Sequence, residues 1–186
     1  MTSNASVMRP QAQVIWITGL SGAGKSTVAT ALAERLRQQQ PVVLLDGDRL
    51  RSLFDAVDPS AANHGREVRL NLALRYARLC AMLAESGVTV VIATISMFHE
   101  VHDWNRRHLP GYLEVYLKVP LDELRRRDPK GIYARHAAGE LQHVAGLDLL
   151  VDEPRDPHLL LCGSADSAPQ QFVDQIVQRL SQEQRP

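Results

Sequence analysis

Five short runs of this 186-residue chain are apolar at nearly every position, and segments with helical spacing separate them. The runs are 14–18 (Val-Ile-Trp-Ile-Thr), 42–46 (Val-Val-Leu-Leu-Asp), 88–93 (Val-Thr-Val-Val-Ile-Ala), 113–118 and 158–161. Strands without polar alternation suit a parallel sheet covered on both faces. Three of the intervening segments read clearly as helices. Residues 27–37 carry Ala and Leu at helical spacing, and 66–86 place Val68, Leu72, Tyr76, Leu79, Cys80 and Leu83 on one stripe before Gly87. The third, 168–182, lines up Phe172, Ile176, Val177 and Leu180. This alternation predicts an α/β fold, a doubly wound parallel five-stranded sheet with helices on both faces. One domain spans 13–182, preceded by a disordered leader over 1–12. In such folds, ligands bind where the strands end.

The end of the first run carries Gly19-Leu-Ser21-Gly22-Ala23-Gly24-Lys25-Ser26-Thr27, a match to G-x-x-x-x-G-K-[ST] between a strand and a helix, the context the phosphate-binding loop requires. At an average glycine usage of about 7%, chance supplies the four fixed positions in fewer than roughly one chain in fifty of this length. Glycines let successive N–H groups turn toward a polyphosphate, and the helix N-terminus adds partial positive charge. Lys25 then reaches the β- and γ-phosphates, and the Ser26 hydroxyl holds Mg²⁺. The fold is therefore expected to be of the P-loop nucleoside triphosphate hydrolase type. ATP and Mg²⁺ are the expected cofactors, with Gly19, Ser21, Gly22, Ala23, Gly24, Lys25, Ser26 and Thr27 around the nucleotide.

The other strand ends are also polar. Asp46-Gly47-Asp48 closes the second strand, with Arg51 about one helical turn on. Such carboxylates hold Mg²⁺, accept a hydroxyl proton, or make a hydrogen-bonded turn with a helix cap. Thr94-Ile95-Ser96-Met97-Phe98 follows the third strand, a strand-end loop that either contacts substrate or lets Ser96 cap a helix. Arg66 and Arg69 open the long helix, facing either solvent or an anionic substrate. Arg125-Arg126-Arg127 precede Asp128-Pro129-Lys130-Gly131, a basic helix broken at proline. That stretch is either a solvated face or a lid that neutralises a transferring phosphoryl group.

Twenty-one basic and twenty-one acidic residues give a formal net charge of zero, which argues against broad attraction to nucleic acid or membranes. Cys80 and Cys162 make no disulfide framework, and no apolar run approaches a membrane span, so a cytoplasmic protein is expected. The seven histidines show no metal-ligand spacing; His99 and His102, three apart, read as surface or substrate-facing. A switch GTPase needs an Asn-Lys-x-Asp guanine reader, which the sequence lacks. A non-catalytic nucleotide-binding module remains the alternative, in which Asp48→Ala changes no rate.

Together the phosphate loop, Leu-Asp46-Gly-Asp48-x-x-Arg51, Arg127-Asp-Pro-Lys130-Gly-Ile-Tyr133, Gly139-Glu140 and Gly146-Leu-Asp148 resemble the adenylylsulfate kinase (APS kinase) family in order and spacing, over about residues 13–162. The resemblance implies transfer of the γ-phosphate of Mg-ATP to the ribose 3′-hydroxyl of a small-molecule nucleotide, adenylylsulfate first among the candidates, in sulfate assimilation. It implies Lys25, Asp46, Asp48 and Arg127 as catalytic residues and Ser26 and Asp46 as metal ligands. Asp48, Arg51, Arg69, Ser96 and Lys130 would bind the acceptor, and the chain would form a homodimer.

The family's acceptor half is altered. Family members sandwich the adenine between two phenylalanines, and those places hold His64 and Val144. A family asparagine falls on Leu72, beside Asn71, and Ser-Pro-Tyr-Arg reads Ser96-Met97-Phe98-His99. A lost base stack costs about 1–3 kcal/mol. The stretch 94–107 is closer to kinase-like relatives found beside bacterial capsule genes, one of whose activities phosphorylates the 3′-hydroxyl of cytidine diphosphoramidate. A smaller pyrimidine needs less aromatic clamping.

Overall fold

The computed structural model describes residues 13–57, 65–165 and 167–183. The leader 1–12 and His64 lie outside them. Five strands form one parallel sheet: β1 (Val14–Thr18), β2 (Val42–Asp46), β3 (Thr89–Ala93), β4 (Tyr112–Lys118) and β5 (Leu159–Cys162), ordered β2-β3-β1-β4-β5. The expected strands match these within a residue at each end. Cys162, expected after the last strand, is instead its final residue.

Alternate β1 residues face opposite layers, as a doubly wound sheet requires. Ile15 and Ile17 join a core made with α1 (Lys25–Leu36) and α7 (Pro169–Glu183). Val14 and Trp16 pack into a second core with α3 (Arg66–Glu85) and α4 (His99–His108). On α1, Val28, Ala29, Leu32, Ala33 and Leu36 are buried, one helical face. The remaining helices, α2 (Gly47–Val57), α5 (Leu121–Arg127) and α6 (Ile132–Ala137), start just beyond strand ends or in the basic segment. The α4 helix was not expected, because its inward side offers Val101, His102 and Asn105 instead of an apolar stripe.

That polar face meets a fully buried carboxylate, Glu114 of β4. Arg106 pairs with Glu114, the His158 ring accepts its backbone N–H at 2.9 Å, and His102 Nδ1 stands 3.5 Å from Glu114 Oε1. Burial raises the Glu114 pKa, opposed by Arg106. Burial also pushes His102 down to about 4, so it stays neutral. The expectation that His102 is surface or substrate-facing is thus corrected: its ring lies inside the molecule. Among the described residues no helix is long and apolar enough to cross a membrane.

Candidate active site

β1 lies at the centre of the sheet between β3 and β4, and the chain passes from it through α1 to β2 at one edge before returning to β3 and crossing over to β4; the glycine loop follows the carboxyl end of β1. Gly19 passes so near β4 that a Cβ there would sit 2.4 Å from the Leu117 carbonyl oxygen. Only glycine permits that approach. Gly24, in left-handed conformation, opens α1. Lys25 Nζ donates to the Leu20 carbonyl at 2.8 Å, so the ammonium is folded back over its own loop. Burial in the loop pushes its pKa down to about 8, against the pull of Asp48 and Asp46.

Ser26 Oγ donates to Asp46 Oδ2 at 2.7 Å, joining the starts of α1 and α2. The other oxygen, Oδ1, accepts the amides of Asp48 and Arg49 at 3.0 and 3.2 Å. Asp46 is therefore both the cap of α2 and an oxygen donor beside a hydroxyl. Partial burial raises its pKa, but the Ser26 hydroxyl, the two amides and the Lys130 ammonium outweigh that and hold it below the usual carboxylate range. Asp48 points across the cleft and pairs with Lys130.

The cleft has a volume of about 680 Å³. One half is walled by Ser21, Gly22, Gly24, Lys25, Ser26 and Thr27, with Asp46 and Asp48 beside them. Arg51, Arg69, Leu72, Tyr76, Ser96 and Val144 line the other half, and Arg127 and Lys130 close it from the basic segment. Gly19 and Ala23 lie beneath the cavity instead, Ala23 buried in the core. The expected residues thus converge from five separate segments.

Two expectations narrow. Arg125 and Arg126 pair with Asp122 and Glu123 of their own helix, away from the cavity. Arg127 reaches the wall, yet its guanidinium is held by Glu123 at 2.6 Å and by the Ser164 carbonyl at 2.5 Å. Arg66 forms ion pairs with Glu100 and Asp152 at 3.1 and 2.7 Å and covers the Phe98 ring; it braces α3 instead of facing an anion. The segment after Pro129 is anchored on the phosphate loop: Tyr133 Oη donates to the Ser21 carbonyl at 2.8 Å, and Asp128 accepts the Tyr133 and Ala134 amides.

Arg69 shows what the second half attracts. Burial lowers its pKa, and the neighbouring Arg51 guanidinium lowers it further. Asp148 opposes both effects, and a bound anion at this wall would do the same. Arg69 Nη1 also donates to the His143 carbonyl at 3.1 Å. Residues 143–149 form a tight loop in which Asp148 accepts the amides of His143 and Val144 at 2.7 and 2.6 Å. Gly146 of that loop lies on Leu20, so closely that a Cβ would be 2.8 Å from Cδ1. Tyr76, His143 and Leu149 were missed as wall residues, whereas Phe98 belongs to the 94–98 loop expected to contact substrate. Tyr76 was visible only as part of an apolar stripe, and nothing in the sequence marked Leu149.

Sheet order and glycine loop define the class: a P-loop nucleotide-binding α/β protein. The family model of adenylylsulphate kinase matches residues 11–162, and the chain belongs to that family. A cytidine diphosphoramidate kinase of Campylobacter jejuni is 34% identical over 175 residues, covering 94% of this chain and 99% of its own. An adenylyl-sulfate kinase of Pseudomonas aeruginosa is 36% identical, over 86% of this chain and 81% of that one. Among solved structures, the Mycobacterium tuberculosis APS kinase in complex with AMPPNP and APS superposes with a TM-score of 0.82 at 30% identity, over 92% of this chain and 99% of that one. The chain is a kinase that uses ATP.

Proposed function

We propose that the chain transfers the γ-phosphate of Mg-ATP to the ribose 3′-hydroxyl of an anionic nucleotide. The observation that carries this reading is the facing pair of half-sites: a phosphate loop with Lys25 on one wall, and Arg51 beside Arg69 on the other. The donor set suits Mg²⁺: a hydroxyl and a carboxylate, both hard oxygens, 2.7 Å apart, with room for phosphate oxygens and water. Ser26 and Asp46 would hold the ion, which would offset the charge of the polyphosphate. Lys25 leaves the Leu20 carbonyl for the β- and γ-phosphates. Asp48 releases Lys130, orients the acceptor hydroxyl and takes its proton as the oxygen attacks the γ-phosphorus. ADP leaves, and the product carries a 3′-phosphate. Lys130 on the lid, freed from Asp48, neutralises the moving charge; Arg127 adds to it only by leaving Glu123 and the Ser164 carbonyl.

Cytidine diphosphoramidate is the acceptor the pocket favours. Val144 presents a small buried side chain where the family has a ring, and Leu72 adds a second aliphatic wall. Adenylylsulfate is the second reading, supported by the arginine pair and by the family's usual substrate; it carries a role in sulfate assimilation with it. Both readings place the protein in the cytoplasm, with Mg-ATP, and we take it to work as a homodimer. The test is ADP release by the purified protein with Mg-ATP and each acceptor. Turnover on the cytidine compound alone supports the first reading, and saturable turnover at low adenylylsulfate concentration supports the second. Silence with both overturns the proposal.

A further inference from the structure

His136 lies outside the phosphate loop, the carboxylate pair and the arginine wall, yet it stands where the lid meets the acceptor loop. It sits on α6, the helix anchored to the phosphate loop through Tyr133. Its Nε2 is 3.4 Å from Asp148 Oδ1, and both side chains are about two-thirds covered. Asp148 in turn fixes two successive amides, those of His143 and Val144. That fixes the His143 residue, a non-glycine with φ 61°, whose carbonyl accepts Arg69. A continuous chain of contacts therefore runs from lid helix to anion-binding arginine.

We propose that His136 is a positioning residue that couples the lid to acceptor binding: in its charged form it locks Asp148, and through it Arg69, into the arrangement that receives the acceptor's anionic group. This rests on Arg51 and Arg69 being the acceptor's anion site.

Two effects point the same way. A cationic His136 strengthens the contact that holds the 143–148 turn. It also offsets the Asp148 charge, which attracts Arg69 and competes with a bound anion for it. Asp148 comes from the acceptor loop, with Arg69 of α3 behind it and Arg51 of α2 behind Arg69. On its own segment Arg135 stands 3.9 Å from Glu140.

The experiment measures acceptor KM, ATP KM and kcat for wild type, His136→Gln and His136→Arg, with direct binding of each acceptor nucleotide by calorimetry. His136→Gln cannot carry a charge, so its acceptor KM is expected to rise by about fivefold, the lower end of ordinary coupling between sites, while ATP KM and kcat stay level. His136→Arg restores a cation beside Asp148, so its acceptor KM returns to the wild-type value or below. Equal thermal midpoints exclude a folding defect, since the position is partly exposed. A Gln variant that tracks wild type, or an Arg variant as weak as Gln, overturns the brace alone. Failure of wild type to bind either nucleotide overturns the acceptor reading, and the brace falls with it.

Discussion

Asp46 joins stability and chemistry in one carboxylate, and two substitutions separate them. Asp46→Ala removes three hydrogen bonds: from the Ser26 hydroxyl at 2.7 Å and from the Asp48 and Arg49 amides at 3.0 and 3.2 Å. Bonds to a charged acceptor are worth about 1.5–3 kcal/mol each when buried, and partial exposure with water as substitute reduces the sum to about 2–3 kcal/mol. At about 2–4 °C per kcal/mol for a chain of this length, the thermal midpoint falls by about 5–10 °C. Asp46→Asn keeps an oxygen for both amides and lets the Ser26 hydroxyl turn round to accept. It loses the charge-assisted part alone, about 1 kcal/mol. Its turnover is nevertheless expected to drop by about 10²–10³, because under the proposed mechanism a neutral amide would hold Mg²⁺ poorly beside the transferring phosphate. The pH dependence has a definite sign. The folded-state pKa of Asp46 is depressed, so its contribution is present above the unfolded value of about 3.9 and is lost as pH falls through the folded one. Wild type and Asp46→Asn should therefore converge in stability below about pH 4. Calorimetric melts and coupled ADP release read both effects. An Asn variant with turnover within a factor of about three of wild type at saturating Mg²⁺ and nucleotides would refute the reasoning.

Three further outcomes follow from the same geometry. Lys25 titrates near 8 because burial lowers it, while a bound polyphosphate favours its charged form; nucleotide binding should take up a proton above pH 8, and affinity should fall as pH rises. Calorimetry in buffers of different ionisation enthalpy detects that uptake, and Lys25→Ala should abolish both the uptake and nearly all turnover. Arg69→Ala is expected to raise acceptor KM by about 10- to 100-fold with ATP KM unchanged, the signature of a lost buried charge contact, measured by steady-state kinetics. Arg106→Ala leaves the buried Glu114 without its cation, so stability should fall by about 3–5 kcal/mol in denaturant melts, although neither residue lines the cavity.

Much of the candidate site was legible in the chain, for a local reason. The phosphate loop is made by consecutive residues, so its glycines, lysine and serine announce it without knowledge of the fold. Asp46, Asp48 and Arg51 were legible because an apolar run ends at them, and strand ends are where this architecture binds ligands. Arginines were harder to read. Arg66 and Arg69 lie on the same helix three residues apart, and their fates diverge: one meets Glu100 and Asp152, the other Arg51 and the His143 carbonyl. Spacing along a helix cannot tell them apart, because their partners come from distant segments. The same holds for His102, which pattern reading left at the surface and which instead packs against Glu114.

The sequence by itself determined the five strands, the order of helix and strand, and the phosphate loop, because each is written in neighbouring residues whose periodicity or backbone freedom leaves few alternatives. Only the tertiary structure decided that β1 sits between β3 and β4, which brings Asp48 to Lys130 across 82 positions of chain. It also decided which cations face the cleft and which are spent on ion pairs, and it set His136 against Asp148. Charges act over a few ångströms of space, and distance along the chain does not measure that separation.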